Sequence, residues 1–231
     1  MFVFIGVCIS FICGFVLAAY LVVRYVQRNS HTIGITKPEW IGVCGEERVR
    51  DAIKKNFPLP GYHLLNNITL PLIDGGTTQI DHILISPKGV FVIETKNMAG
   101  VIFALSTRHM WKQVVRDRTF EFKNPSHQNY QHQQTVISVL DFIPSNAVIS
   151  TVVFSGSATF GYGMPENVFT PEGLSEFITN DNNIRLSPTL IQRCIGKIEL
   201  ARYELTLETD IEHVDFIQRK HGNVDYEMYQ G

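Results

Sequence analysis

Two apolar, β-branched runs, Gln79-Ile80-Asp81-His82-Ile83-Leu84-Ile85 and Gly89-Val90-Phe91-Val92-Ile93-Glu94-Thr95-Lys96, are joined by Ser86-Pro87-Lys88 and carry their charges at the ends far from that joint. This is a β-hairpin pattern, with Pro suited to the second turn position and Gly to the fourth. If Pro87 and Lys88 alone are unpaired, Ile85 faces Val90, Ile83 faces Val92 and Asp81 faces Glu94. A bulge at Gly89 would instead shift the register by one and part the two carboxylates. Directly opposed side chains sit roughly 5 Å apart at Cβ, where like charges repel. A hard divalent cation, Mg²⁺ or Mn²⁺, bound between the carboxylate oxygens would turn that repulsion into a binding site. Lys96 follows Glu94 by two residues and so projects to the same side of its strand. The competing reading is plainer: solvated strand-end carboxylates with Lys96 as their surface partner.

The elements that must position these groups lie on both sides of the hairpin. Pro38 suits the first turn of a helix running to about Asn56, with Trp40, Ile41, Cys44, Val49, Ala52, Ile53 and Phe57 as its apolar stripe. Gly45 and Glu46 interrupt that stripe, and on spacing alone Glu46 is a solvated carboxylate paired with Arg50 at i+4. A strand is expected over 62–72, and a further pair of short strands over 101–105 and 109–115. Asn124 is an N-cap and Pro125 the first helical residue of an amide-rich helix reaching Phe142. Gln128 and Gln131 share a face of that helix, whereas His127 and His132, five apart, do not make a zinc pair. An apolar, buried strand follows over 147–154. Thr170-Pro171 and Ser187-Pro188 open two helices, and 207–220 has the spacing of another. The expected architecture is α/β, one mixed central sheet flanked by helices, with Asp81, Glu94 and Lys96 at its active edge.

Gly45-Glu46, the run from Gln79 to Ile85, the run from Gly89 through Lys96 to Asn97, and Asn124-Pro125 with Gln128 occur in one order. In that order they resemble the nuclease-related domain family of the PD-(D/E)xK nuclease superfamily, over roughly residues 38–155. The resemblance implies a restriction-endonuclease-like fold and Mg²⁺-dependent cleavage of phosphodiesters, with nucleic acid, foremost DNA, as partner. It also implies an acidic role at the metal for Glu46, a carbonyl ligand at Thr95, and a role for Gln128 in orienting substrate or catalytic groups. Lys96 would orient or deprotonate the attacking water, or stabilise developing negative charge.

The chain has 231 residues and a formal net charge of −2, enough length for one substantial core and no general excess of cations for gripping nucleic acid. Residues 2–23 carry no charge and suffice to span a hydrocarbon core of about 30 Å as a helix. A cleaved signal peptide is the alternative, although no basic segment precedes the apolar run. Arg24, Arg28 and Lys37 follow the run, which orients the C-terminal part toward the cytoplasm. Cys44 and Cys194 show no paired spacing and read as small buried residues rather than a disulfide or metal site. The expected organisation is an anchor over 1–26, a linker over 27–37, the nuclease-like domain over 38–155 and a mainly helical extension over 156–231. A tethered binding or scaffold module that keeps the nuclease fold is the alternative to an enzyme.

Overall fold

The computed structural model describes residues 37–206 except 59, 73 and 74, together with Thr209. The expected membrane span over 2–23 and the helix expected over 207–220 lie outside the described residues, save for Thr209 in the latter. Among the described residues no helix is long and apolar enough to cross a membrane. The contacts that build the site all lie within the unit that begins at Gly42.

The order of elements is α1 (Lys37–Asn56), β1 (His63–Pro71), β2 (Thr77–Ser86), β3 (Gly89–Lys96), β4 (Gly100–Phe103), β5 (Met110–Val115), β6 (Arg118–Lys123), α2 (Pro125–Val139), β7 (Val148–Phe154), β8 (Ala158–Phe160), β9 (Val168–Phe169), α3 (Pro171–Asn180) and α4 (Pro188–Ala201), with a short 3₁₀ turn at Ser145–Ala147. The strands form two mixed sheets rather than the single one expected. The first runs β1-β2-β3-β7-β9 and the second β6-β5-β4-β8. The strands expected over 101–105 and 109–115 do pair, antiparallel, but with β6 and β8 they build the separate second sheet.

The β2–β3 hairpin has the register its turn chemistry dictates: Ser86 pairs with Gly89, Ile85 with Val90 and Ile83 with Val92. The Ser86 hydroxyl accepts from Lys88 N and donates to Gly89 O, each at 3.2 Å, which closes the turn. Gly89 holds φ at +137°, and a Cβ there would come within 2.6 Å of Ala147 O, so glycine is required. No slip occurs; the ladder continues to His82–Ile93 and ends one pair short of Asp81 and Glu94.

Period-two alternation divides the first sheet into two apolar faces. Leu84, Phe91, Ile93 and Val153 pack against Val49 and Ile53 of α1, Phe57 just after it, and Leu174 and Ile178 of α3. Ile83, Ile85, Val90 and Val92 pack on the other side against Val136 and Leu140 and against Ile191, Cys194 and Ile198 of α4. Covered on both faces, β3 reads as a continuous apolar run rather than an alternating one, as parallel strands buried on both faces do. The helix starts follow their caps: Asn124 Oδ1 accepts from Ser126 N at 2.9 Å, Thr170 Oγ1 from Gly173 N at 3.1 Å and Ser187 Oγ from Leu190 N at 3.3 Å.

Asn129 fixes α2 on the sheet. Its fully buried Nδ2 lies within hydrogen-bond distance of Val92 O (2.9 Å), Thr151 O (2.8 Å) and Ser150 Oγ (2.8 Å), joining the helix to β3 and β7 at once. Asn129→Ala removes the donor and leaves buried acceptors unmatched, so stability should fall by about 1–3 kcal/mol. Urea unfolding checks this, and an unchanged midpoint would show that packing alone holds the helix.

Candidate active site

The C-terminal ends of β3 and β7, the N-terminal half of β2, the middle of α1 and the first turns of α2 meet at one end of the first sheet. Asp81 and Glu94 have the parity of Ile83 and Val92 and therefore belong to the α2 side of the hairpin. The Asp81 carboxylate accepts from Thr95 N at 2.7 Å, tying β2 to β3 just beyond the last ladder pair. Glu94 is 3% exposed, and the Lys96 ammonium, 26% exposed, donates to its Oε1 at 2.6 Å. Gln128 Oε1 accepts from the same ammonium at 3.4 Å. Buried His132 brings Nε2 to 3.3 Å from Glu94 Oε2 and 3.5 Å from Gln128 Nε2, while its Nδ1 lies 2.8 Å from Thr78 Oγ1.

Glu46 reaches this point from the α1 side. A Cβ at Gly45 would stand 2.6 Å from Asn97 Cβ and 2.9 Å from Ser155 Oγ, so only glycine lets α1 come this close to the ends of β3 and β7. Arg48 fastens the approach, donating to Ser155 O at 2.8 Å and Asn97 Oδ1 at 3.2 Å. Arg50 pairs with Glu47 and Asp51, each at 3.5 Å, and not with Glu46, which removes the solvated i+4 pair as the account of Glu46. Instead Glu46 interacts electrostatically with Glu94 and Lys96.

The family model of the nuclease-related domain matches residues 41–155, a span that contains every one of these side chains. The chain belongs to the nuclease-related domain family. That family lies within the PD-(D/E)xK-like nuclease superfamily. An uncharacterised protein of Bacillus anthracis is 41% identical over 189 residues, covering 79% of this chain and 86% of the relative. No solved structure matches the chain.

Charge is distributed unevenly within this nuclease-related domain. Burial and then the neighbouring Glu94 and Glu46 push the Asp81 carboxyl well above the usual range, although Lys96 and the Thr95 N–H oppose them. Burial and Glu94 likewise raise Glu46. Burial would raise Glu94 too, but Lys96 and His132 outweigh it and hold its carboxyl at about 2. Two carboxylates side by side are thus driven apart, one held ionised and the other disposed to keep its proton. His82, on the α1 side with Nδ1 2.8 Å from Asn66 Oδ1, is lowered to about 4 by burial and by Arg50, and stays neutral near pH 7.

Among the described residues no three His, Cys, Asp or Glu side chains already stand as a metal-binding group. The donor chemistry nonetheless fits a hard cation. Glu94 Oε2 is buried without a hydrogen-bond partner, its contact with His132 falling short of a well-formed bond. Asp81 resists ionisation because it is buried and because Glu94 and Glu46 lie close by. An oxygen-seeking divalent ion would supply the missing charge and use the orphaned oxygen.

Asp81, Glu94, Lys96, Gln128 and Glu46 are therefore brought together, and Thr95 joins them through its N–H. His127 stands apart from this group and packs on His109, with ring centroids 5.0 Å apart. Cys44 is half-buried and Cys194 buried, the latter thiol pushed up to about 11 by burial, and neither belongs to the site. His132 and Thr78 are partners that sequence reasoning missed. The available signal was the i+4 spacing of Gln128 and His132, which puts both on one helix face.

The sign of the Asp81 shift sets a stability prediction. Its raised folded pKa contributes stability that is fully present below the ordinary aspartate range and is lost as pH climbs through the raised value. Asn carries no charge at any pH and can still accept from Thr95 N. In metal-free buffer Asp81→Asn should therefore match the parent at low pH and become progressively more stable than it as pH rises. Melting temperatures measured from acid to neutral pH check this, and a variant less stable at neutral pH would contradict the repulsion.

Proposed function

We propose that the chain is a membrane-anchored, metal-dependent nuclease that hydrolyses phosphodiester bonds, with DNA as its foremost substrate. The meeting of Asp81, Glu94, Glu46 and Lys96 at one sheet end, with Glu94 Oε2 buried beside His132 at 3.3 Å but without a well-formed hydrogen bond, is the observation that carries this reading. Asp81 and Glu94 would hold Mg²⁺ or Mn²⁺, Glu46 assisting directly or through water and the Thr95 carbonyl as a further ligand. Such an ion, when bound, lowers the pKa of water and offsets charge on phosphoryl oxygens. Lys96 would orient or deprotonate the attacking water, or stabilise negative charge on the phosphate. Gln128 steadies the ammonium from α2, and His132 keeps the Glu94 carboxylate turned toward the site. One observation favours a second reading, a binding or scaffold module: Lys96 and Glu94 already neutralise each other at 2.6 Å.

Lys96→Ala separates the two readings. It should leave the fold intact and Mn²⁺ binding measurable by calorimetry, while lowering cleavage of DNA by about 10²-fold or more. A folded, metal-binding parent that cuts no single- or double-stranded nucleic acid would favour the scaffold. Full activity in Lys96→Ala would remove Lys96 from the mechanism.

The membrane part of the proposal rests on the uncharged run over 2–23 and on Arg24 and Arg28 after it. Protease added to intact cells should leave the domain untouched, and digestion from outside would reverse the orientation.

A further inference from the structure

The whole chain is slightly acidic, yet the segment from Arg108 to Lys123 holds five cations, Arg108, Lys112, Arg116, Arg118 and Lys123, against two acidic residues, Asp117 and Glu121. All seven are exposed. Among the described residues only Lys112 has an acidic partner, Glu121 at 3.5 Å, a solvent-exposed contact that holds neither side chain firmly. The other four cationic side chains make no ion pair with a described residue. Protection of an edge strand by charge is the plain account of such residues. It covers Arg118 and Lys123 on the edge strand β6, but not Lys112 on the interior strand β5, Arg116 in the turn or Arg108 in the preceding loop.

The placement of this hairpin supplies the rest of the argument. Its strands are six residues each, a strip about 17 Å to 20 Å long. Pairing of Met110 with Lys123 and Lys112 with Glu121 puts Lys112 and Lys123 diagonally on one face, while Trp111 and Phe122 pack together on the other. The hairpin is rooted at the candidate site. β4 starts four residues beyond Lys96, and β6 leads through Asn124 into α2, whose Gln128 touches Lys96. Asn124 binds the base of the hairpin to the helix: its N donates to His109 O at 2.8 Å, and its Nδ2 to Arg108 O at 2.9 Å and Ser106 O at 3.3 Å. Lys112 and Lys123 thus share one face of the hairpin, Arg118, paired with Val115, has the parity of Phe122 and belongs to the other, and the base of the hairpin is tied through Asn124 to the helix that carries Gln128.

We infer that the β5–β6 hairpin, through Arg108, Lys112, Arg116, Arg118 and Lys123, is a nucleic-acid-binding arm that grips the phosphate backbone beside the scissile bond. This rests on the nuclease reading of the neighbouring site and adds how a chain of net negative charge holds a polyanion. The arm meets phosphates rather than bases, so binding is insensitive to sequence and strongly salt-dependent. A strip of this length spans about five base pairs of duplex at 3.4 Å each.

The test uses the full-length protein and a quadruple variant, Lys112→Gln, Arg116→Gln, Arg118→Gln and Lys123→Gln, with each adjacent pair also made as a double variant and melting temperature as the check on folding. Lys54→Gln with Lys55→Gln, exposed in the last turn of α1, is the control for loss of charge elsewhere. Binding to a fluorescent 30-mer duplex is measured in EDTA, so that affinity is read apart from cleavage. The quadruple variant should bind about 10-fold or more weaker, with a salt slope shallower by about 0.9 for each phosphate it no longer neutralises. With Mn²⁺ present, its KM for the duplex should rise while hydrolysis of bis(4-nitrophenyl) phosphate stays at the parent rate. Parent-like affinity and salt slope in the folded variants would overturn the inference, as would equal weakening in the control. Loss of binding to phosphatidylserine vesicles with duplex binding intact would overturn it in favour of a lipid-facing arm. A parent that binds duplex through this hairpin yet hydrolyses neither substrate would sink the nuclease reading and leave the arm standing.

Discussion

Glu94 must remain ionised in a place that water barely reaches, and most of the site follows from that constraint. Burial alone would drive its proton back on, so compensating charge has to arrive through side chains fixed in position. Lys96 supplies that charge from the same strand two residues on, where the geometry of an extended chain guarantees proximity. His132 adds a second contact from α2, and its own ring is held by Thr78 on β2. A surplus of carboxyl groups remains, because Asp81 and Glu46 lie beside Glu94 and are each raised by burial and by its charge.

Holding that surplus together requires elements that would not meet by apolar packing alone. α1 packs its Val49 and Ile53 on the sheet well beyond the site, and its approach at the site depends on the missing side chain of Gly45. Arg48 then converts close approach into fixed approach by bonding to the backbone after β7. On the opposite face Asn129 does the same for α2, replacing an apolar contact by hydrogen bonds to β3 and β7. Gln128 precedes it directly, so the residue that touches Lys96 inherits the precision of its buried neighbour. Polar groups buried with partners set orientation more sharply than apolar contacts, which tolerate sliding.

The parts legible in the sequence are those with local causes. Ser86-Pro87-Lys88-Gly89 announces a tight turn, and of the two registers it leaves open the structure has the unbulged one, which brings Asp81 and Glu94 to the same end. Asn124-Pro125, Thr170-Pro171 and Ser187-Pro188 announce helix starts because a side-chain acceptor followed by Pro satisfies and begins a helix. The second sheet was not legible as a separate layer. Its β8 has three residues and β4 four, too short for a periodic signal, and the pairing of β4 with β8 joins segments more than fifty residues apart. The same distance hid the function of Gly45, whose neighbours Asn97 and Ser155 are remote in sequence. His132 was overlooked for another reason: compared with His127 it fails as a metal pair, and its actual partners are Glu94 and Thr78 on other elements.

A site built this way faces two demands that pull against each other, since carboxylates act most strongly away from water but a polymer can be reached only at the surface. The structure resolves them by a gradient of exposure along one line of contacts. Glu94 is buried, Lys96 beside it is about a quarter exposed, and Gln128 beyond Lys96 is at the surface. The low dielectric around Glu94 strengthens its pairing with Lys96, whose ammonium also reaches Gln128 at the surface. Reversing that order would bury the lysine and expose the carboxylate, weakening both the pair and any affinity for a cation. The two sheets reproduce the division on a larger scale: the first encloses the carboxylates between helices, and the second, which begins four residues after Lys96, carries its charged side chains into solvent.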